Sequence, residues 1–98
     1  MKYKKVVINN NEYTDQNKID SLLNDLKFHW VVDAEMENAE IVIKNNTIIW
    51  ENGTWLYGNW RFGIWKNGSF HGKWENGIFE DGEMKGEFLS GINNLKNN

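Results

Sequence analysis

Side chains able to do acid–base, nucleophilic or metal chemistry are few. The 98-residue chain has two histidines, His29 and His71, and no cysteine. His29 sits in the apolar stretch Phe28-His29-Trp30-Val31, which reads as part of a strand, and His71 sits in a glycine turn. Neither has an acid at a spacing that suggests a triad or a metal site. Ser69 and Ser90 lie in glycine turns that lack the strand–turn–helix pattern of a nucleophile elbow. Without cysteine, thiolate catalysis, thiolate metal sites and disulfides are all excluded. The stretch from Gly58 to Gly63 has neither the spacing nor the following helix of a phosphate-cradling loop. The sequence predicts no enzymatic activity, no cofactor and no metal.

Two other groups of residues have the character of contact surfaces. Asp33, Glu35 and Glu37 alternate, so an extended backbone places them on one side, with Glu40 nearby. They read either as a solvated strand face or as a small acidic patch for a basic partner. Paired carboxylates doing hydrolysis would need an opposing acid and a pocket. The second group is apolar: Leu56, Tyr57, Phe62 and Ile64, with Arg61 among them. Contiguous apolar residues at the surface mark binding sites, and Tyr and Arg are frequent interface anchors. The competing expectation is that these residues pack against the first half of the chain.

These candidates stand on a chain of 11.6 kDa, which suits one small domain. Hydrophobic residues make up 40% and charged residues 26%, an ordinary globular balance. The net charge is −3. Residues 1–49 carry 8 acids and 6 bases (−2), and residues 50–98 carry 6 acids and 5 bases (−1). That argues against a strongly basic nucleic-acid binder. No apolar run is long enough to cross a bilayer, and the first residues lack the apolar segment of a signal peptide. A cytoplasmic location is expected. Many asparagines, with ten lysines against one arginine, suggest an AT-rich coding source such as a bacteriophage or mobile element.

Composition divides the chain. All nine glycines lie at or beyond Gly53, and five of the six tryptophans at or beyond Trp50. Residues 1–49 read as a β-α-β-β cap, 50–91 as a Trp/Gly repeat and 92–98 as a polar tail. In the cap, residues 2–8 are a predicted strand and 9–11 a turn. Thr14 or Asp15 is a helix N-cap, followed by Ile19, Leu22, Leu23 and Leu26 on one helical face. Residues 28–34 and 39–44 read as strands, and Asn45-Asn46 as a tight turn into a strand over 47–50. That last strand runs into the repeat, so the first half caps one end of it.

The repeat sets Trp50, Trp55, Trp60, Trp65, Phe70, Trp74, Phe79, Met84 and Phe88 against a glycine in every unit. The step is five residues, except in the four-residue units Phe-His-Gly-Lys (70–73) and Met-Lys-Gly-Glu (84–87). An odd step flips a strand's face, so the chain must bend once per unit, with glycine supplying the bend. Two architectures satisfy this. One is a β-meander in which pairs such as Asn52-Gly53 and Asn67-Gly68 are type I′ hairpin turns. The other is a four-sided β-solenoid with one face per unit. The two short units weigh for the meander. The expected fold is therefore α+β: the β-α-β-β unit continued by a meander of short strands, with a solenoid as the alternative.

The stretch WKNGSFHGKWENG (65–77) resembles membrane-occupation-and-recognition-nexus (MORN) repeats, and FEDGEMKGEF (79–88) repeats that shape. WENGTWLYGNWRFG (50–63) is similar instead to pentapeptide repeats, with tryptophan and glycine in place of their usual residues. The first resemblance implies a scaffolding or binding module, in some cases lipid-contacting. The second implies a family that includes inhibitors of DNA-acting enzymes. Neither implies catalysis. The expected function is a non-enzymatic protein-binding module, in its narrowest form a phage inhibitor of a host nucleic-acid-directed defence complex of CRISPR type. The expected partner is a host protein or protein–nucleic-acid complex. The alternatives are a single-stranded nucleic-acid binder using the aromatics with Arg61, Lys66 and Lys73, or a MORN-type lipid or scaffold module.

Overall fold

A computed structural model of the chain describes residues 1–95. The first part contains β1 (Tyr3–Ile8), β2 (Asn11–Tyr13), α1 (Gln16–Asp25), α2 (His29–Val32) and β3 (Glu35–Lys44). A long strand, β4 (Thr47–Tyr57), leads into eight two-residue strands. These are β5 (Asn59–Trp60), β6 (Ile64–Trp65), β7 (Ser69–Phe70), β8 (Lys73–Trp74), β9 (Ile78–Phe79), β10 (Glu83–Met84), β11 (Glu87–Phe88) and β12 (Ile92–Asn93). The α+β class expected from sequence is present, but the order in the cap is β-β-α-α-β. Residues 28–34, expected as a strand, are helical around His29–Val32. Phe28, Val31 and Ala34 are spaced three apart and all buried, which is a helical period.

α1 forms where the apolar spacing places it. The Asp15 side chain accepts a hydrogen bond from the Lys18 backbone N–H (3.1 Å) and caps its start. Ile19 and Leu23 are buried, and Leu22 and Leu26 pack at the margin of the core. β1 runs parallel to β3, with Val7 opposite Val42, and β3 runs antiparallel to β4, with Ile41 opposite Trp50. Asn45 and Asn46 both have positive φ (51° and 60°), as a two-residue type I′ hairpin requires.

The second part is a β-solenoid of about three coils. The meander is corrected by the strand pairing. Each short strand pairs in parallel with the strand one coil away: Trp50 with Trp65, Trp55 with Phe70, Trp60 with Trp74. Those partners lie 15, 15 and 14 residues apart. The next coil continues the pairing with Phe79, Met84 and Phe88, each 14 residues further on. Three faces make one coil, so the solenoid is triangular rather than four-sided. At Asn52-Gly53 only the glycine has positive φ (114°), so the chain turns a corner and does not reverse. The two four-residue units lie 14 residues apart and stack on each other. They therefore keep the solenoid regular, contrary to the expectation that short units disfavour it.

Three aromatic columns fill the interior. Trp50 stacks on Trp65 at 4.5 Å with their planes 5° apart, and Trp65 stacks on Phe79 at 5.6 Å. Trp60 stacks on Trp74 (5.1 Å), and Trp74 on Phe88 (6.0 Å). Trp55 stacks on Phe70 (5.9 Å). Neighbours around a coil meet edge to face, as Trp55 and Trp60 do at 5.5 Å. Both geometries suit the aromatic quadrupole. Glycines stack at the corners. A Cβ on Gly68, which has φ +110°, would lie 2.1 Å from the Gly53 carbonyl oxygen. Successive coils can close to hydrogen-bonding distance there only without a side chain.

The cap closes one end of this prism. β3 covers the two faces formed by β4, where Ile41 and Met36 lie opposite Trp50 and Trp55. α2 covers the third, where Trp30 packs edge-on to Trp60 at 5.2 Å. One continuous core of buried residues joins the two parts. Ile92 and Asn93, expected in a polar tail, form a fourth rung on the first face by pairing with Ile78 and Phe79. No helix among the described residues is long and apolar enough to cross a membrane.

Candidate partner-binding groove

One corner of the prism differs from the other two. In the first coil, five-residue spacing carries the chain from Trp55 through Leu56, Tyr57 and Gly58 to Trp60. In the second and third coils, four-residue units make the same turn, and the residue equivalent to Tyr57 is missing. Gly72 and Gly86, which turn these short corners, are the repeat glycines without positive φ. Glycine is required there by proximity: a Cβ on Gly72 would lie 2.3 Å from the Gly58 oxygen and 2.6 Å from the Trp55 indole nitrogen. The shortened corners leave a groove of about 810 Å³ along the prism, within the range of ligand sites.

The groove crosses all three coils. Tyr57, Gly58, Asn59 and Arg61 line it from the first, His71, Gly72 and Lys73 from the second, and Lys85, Gly86 and Glu87 from the third. Trp30, Asp33 and Ala34 of the cap close one end. Regular inter-coil bonds fix the wall: the N–H groups of His71, Lys73, Lys85 and Glu87 donate to the carbonyls of Trp55, Gly58, Phe70 and Gly72 at 2.8–3.0 Å. The positions of these side chains are thus set by backbone and glycine packing rather than by each other.

The sequence-predicted contact residues divide. Tyr57 is 71% exposed on the groove wall, and Arg61 lines the groove while its Nε donates to Glu75 at 3.0 Å. Leu56 is 43% exposed and begins the column that continues as His71 and Lys85. Phe62 lines a smaller adjoining hollow with Lys27, Trp30 and Glu75. It also packs on Trp30 (5.3 Å) and Phe28 (5.9 Å), so for this residue packing against the first half is realised as well. Ile64 is elsewhere, in an outward row between Ile49 and Ile78 on the first face.

The acidic candidates are also dispersed. Asp33 caps the end of α2 and lines the groove, while Glu35 and Glu37 are exposed on β3. A shift in strand register between Glu37 and Glu40 breaks the alternation, and Glu40 lies 3.7 Å from Lys4. Lys66, one of the three cations expected to contact nucleic acid, stands between Glu51 and Glu80 on a different corner from Arg61 and Lys73. His29 is exposed, with Nδ1 2.8 Å from the Asn24 side-chain oxygen. No group of three or more potential metal ligands assembles among the described residues.

In the cap, burial lowers the pKa of Lys2, whose Nζ donates to the Val32 carbonyl, against the raising influence of Asp20, Asp33 and Glu35. Burial raises the pKa of Tyr3, and its hydroxyl hydrogen bond to Asp20 (2.6 Å) raises it further.

Sequence reasoning missed the groove and, with it, Lys85. The signal was present: aligning 65–78 with 79–92 at an offset of 14 superposes both short units and puts His71 in register with Lys85. No known protein family, curated protein or solved structure matches this chain.

Proposed function

We propose that this chain is a non-enzymatic protein-binding module that engages its partner along the shortened-corner groove. The observation that carries the reading is one juxtaposition: an exposed tyrosine and leucine beside a polar groove held on a rigid stack of coils. Aromatic anchors next to adaptable polar groups are the composition of protein interfaces. A rigid scaffold also lowers the ordering cost of association. The narrower reading, an inhibitor of a host nucleic-acid-directed defence complex, rests on small size and composition and on no motif.

The test is capture of partners by a tagged chain from a bacterial lysate, with and without nuclease, followed by binding measurements on the purified partner. A protein held by the wild type in both conditions, and lost by the Tyr57→Asp variant, supports the proposal. Retention by a folded Tyr57→Asp, Leu56→Ser variant removes this surface as the binding site. A second reading, single-stranded nucleic-acid binding, is favoured by Arg61, His71 and Lys73 meeting an exposed aromatic in one groove. Capture abolished by nuclease, with steep salt dependence, would put it first.

A further inference from the structure

Resting on the protein-binding reading, we infer that the groove selects a short acidic peptide segment, with carboxylates gripped by His71, Lys73 and Lys85. The chain is acidic as a whole, yet of the four lysines and arginines between residues 50 and 95, three line this groove, joined by the repeat's one histidine. On the other corners the outward columns balance their charge. Glu51, Lys66 and Glu80 alternate in sign from coil to coil, and Arg61 pairs with Glu75. The corner beside the groove breaks this rule: its column reads Leu56, His71, Lys85, with no acid. Among the described residues neither Lys73 nor Lys85 has a carboxylate within 4.0 Å.

The spacing suits a small anionic group. Successive coils are separated by the inter-strand distance of about 4.8 Å, so His71 and Lys85 stand on adjacent rungs, close enough to share one carboxylate or hold two neighbouring ones. The Tyr57 ring and the half-buried Trp30 offer apolar surface for a flanking side chain. The acids among the lining residues decide between a peptide and a nucleic acid. Asp33 lines the cap end, and Glu87 stands on the third coil with Lys85 and directly opposite Lys73, so the cations are interspersed with acids. A polyanion whose charges run the length of the groove meets repulsion from Asp33, from Glu87 and from the net negative chain. A peptide with its acids confined to a few residues does not.

The experiment is binding of the full chain to an array of random heptapeptides graded in charge, repeated with a Lys73→Ala, Lys85→Ala variant and with oligo-dT as competitor. Expected is a signal that rises with peptide acidity, falls about tenfold in the double variant, and resists oligo-dT. A signal independent of peptide charge, or unchanged in a variant with native circular dichroism, overturns the inference. Efficient competition by oligo-dT overturns it in favour of nucleic acid. If the double variant still captures the lysate partner, this inference fails and the protein-binding reading stands. If Tyr57→Asp also leaves that capture intact, both fail.

Discussion

The cap and the solenoid solve the same problem, stabilising a small core, by opposite means. The cap uses specific side-chain bonds between elements distant in sequence. Tyr3 donates its hydroxyl to Asp20, and the Gln16 amide bridges the Tyr3 backbone N–H and carbonyl at 2.9 and 2.8 Å. Five of its six positive-φ residues are asparagines, such as Asn45 and Asn46, which tolerate that region; the sixth is Lys27. The solenoid relies on backbone ladders, stacked glycines and stacked rings. Its Trp50, Trp60, Trp65 and Trp74 indole nitrogens have no hydrogen-bond partner among the described residues, and only Trp55 donates, to the Gly58 carbonyl at 3.1 Å. A repeat can afford generic contacts because each coil copies the last, and a departure from the copy, the shortened corner, becomes a surface feature.

The sharpest way to break this contrast is at the centre of a column. Trp65 stacks on both Trp50 and Phe79, so Trp65→Ala should destabilise by about 4 kcal/mol in denaturant unfolding. Phe88→Ala, in the half-buried last coil, should cost about half as much. Equal losses would mean that the columns do not stack as described. Next is the backbone. Gly68→Ala combines a positive φ with a Cβ 2.1 Å from a carbonyl oxygen, and should cost about 3 kcal/mol. Asn46→Ala in the cap, strained but unobstructed, should cost about 1 kcal/mol.

Smaller effects separate the two kinds of core. Trp74→Phe loses no hydrogen bond, while Trp55→Phe loses one, so the latter should be worse by about 1 kcal/mol. The chain itself places phenylalanine at equivalent positions, 70, 79 and 88. The smallest effect near neutrality is alkaline. The raised Tyr3 pKa means that its contribution is complete below the ordinary tyrosine value of 10.0 and is lost as pH rises above it. Stability measured across that range should fall in the wild type and fall less steeply in Tyr3→Phe.

What was legible in the sequence follows the same division. The five-residue spacing, shortened to four in two units, located every inward ring of the solenoid from Trp50 to Phe88, because one residue type at one phase is a strong signal. α1 was legible from its cap and apolar face. The meander expectation failed because Asn-Gly is a local signal that fits a hairpin and a solenoid corner alike; what decides is pairing 14–15 residues away. α2 was misread because four residues carry too little periodicity to tell helix from strand. Of the groove's lining residues, Tyr57 and Arg61 were singled out from composition. The groove itself was not, since it is made by residues that are missing from two units.

That absence gives the most direct test. Inserting a tyrosine between His71 and Gly72, and another between Lys85 and Gly86, restores five-residue corners and fills the groove while keeping each column in phase. Partner capture by this variant is the measurement to make, with circular dichroism and Trp fluorescence checking the fold. The expected result is a folded solenoid that no longer retains the partner. A folded variant that binds as the wild type does would contradict it, and would move the binding surface to another face of the prism.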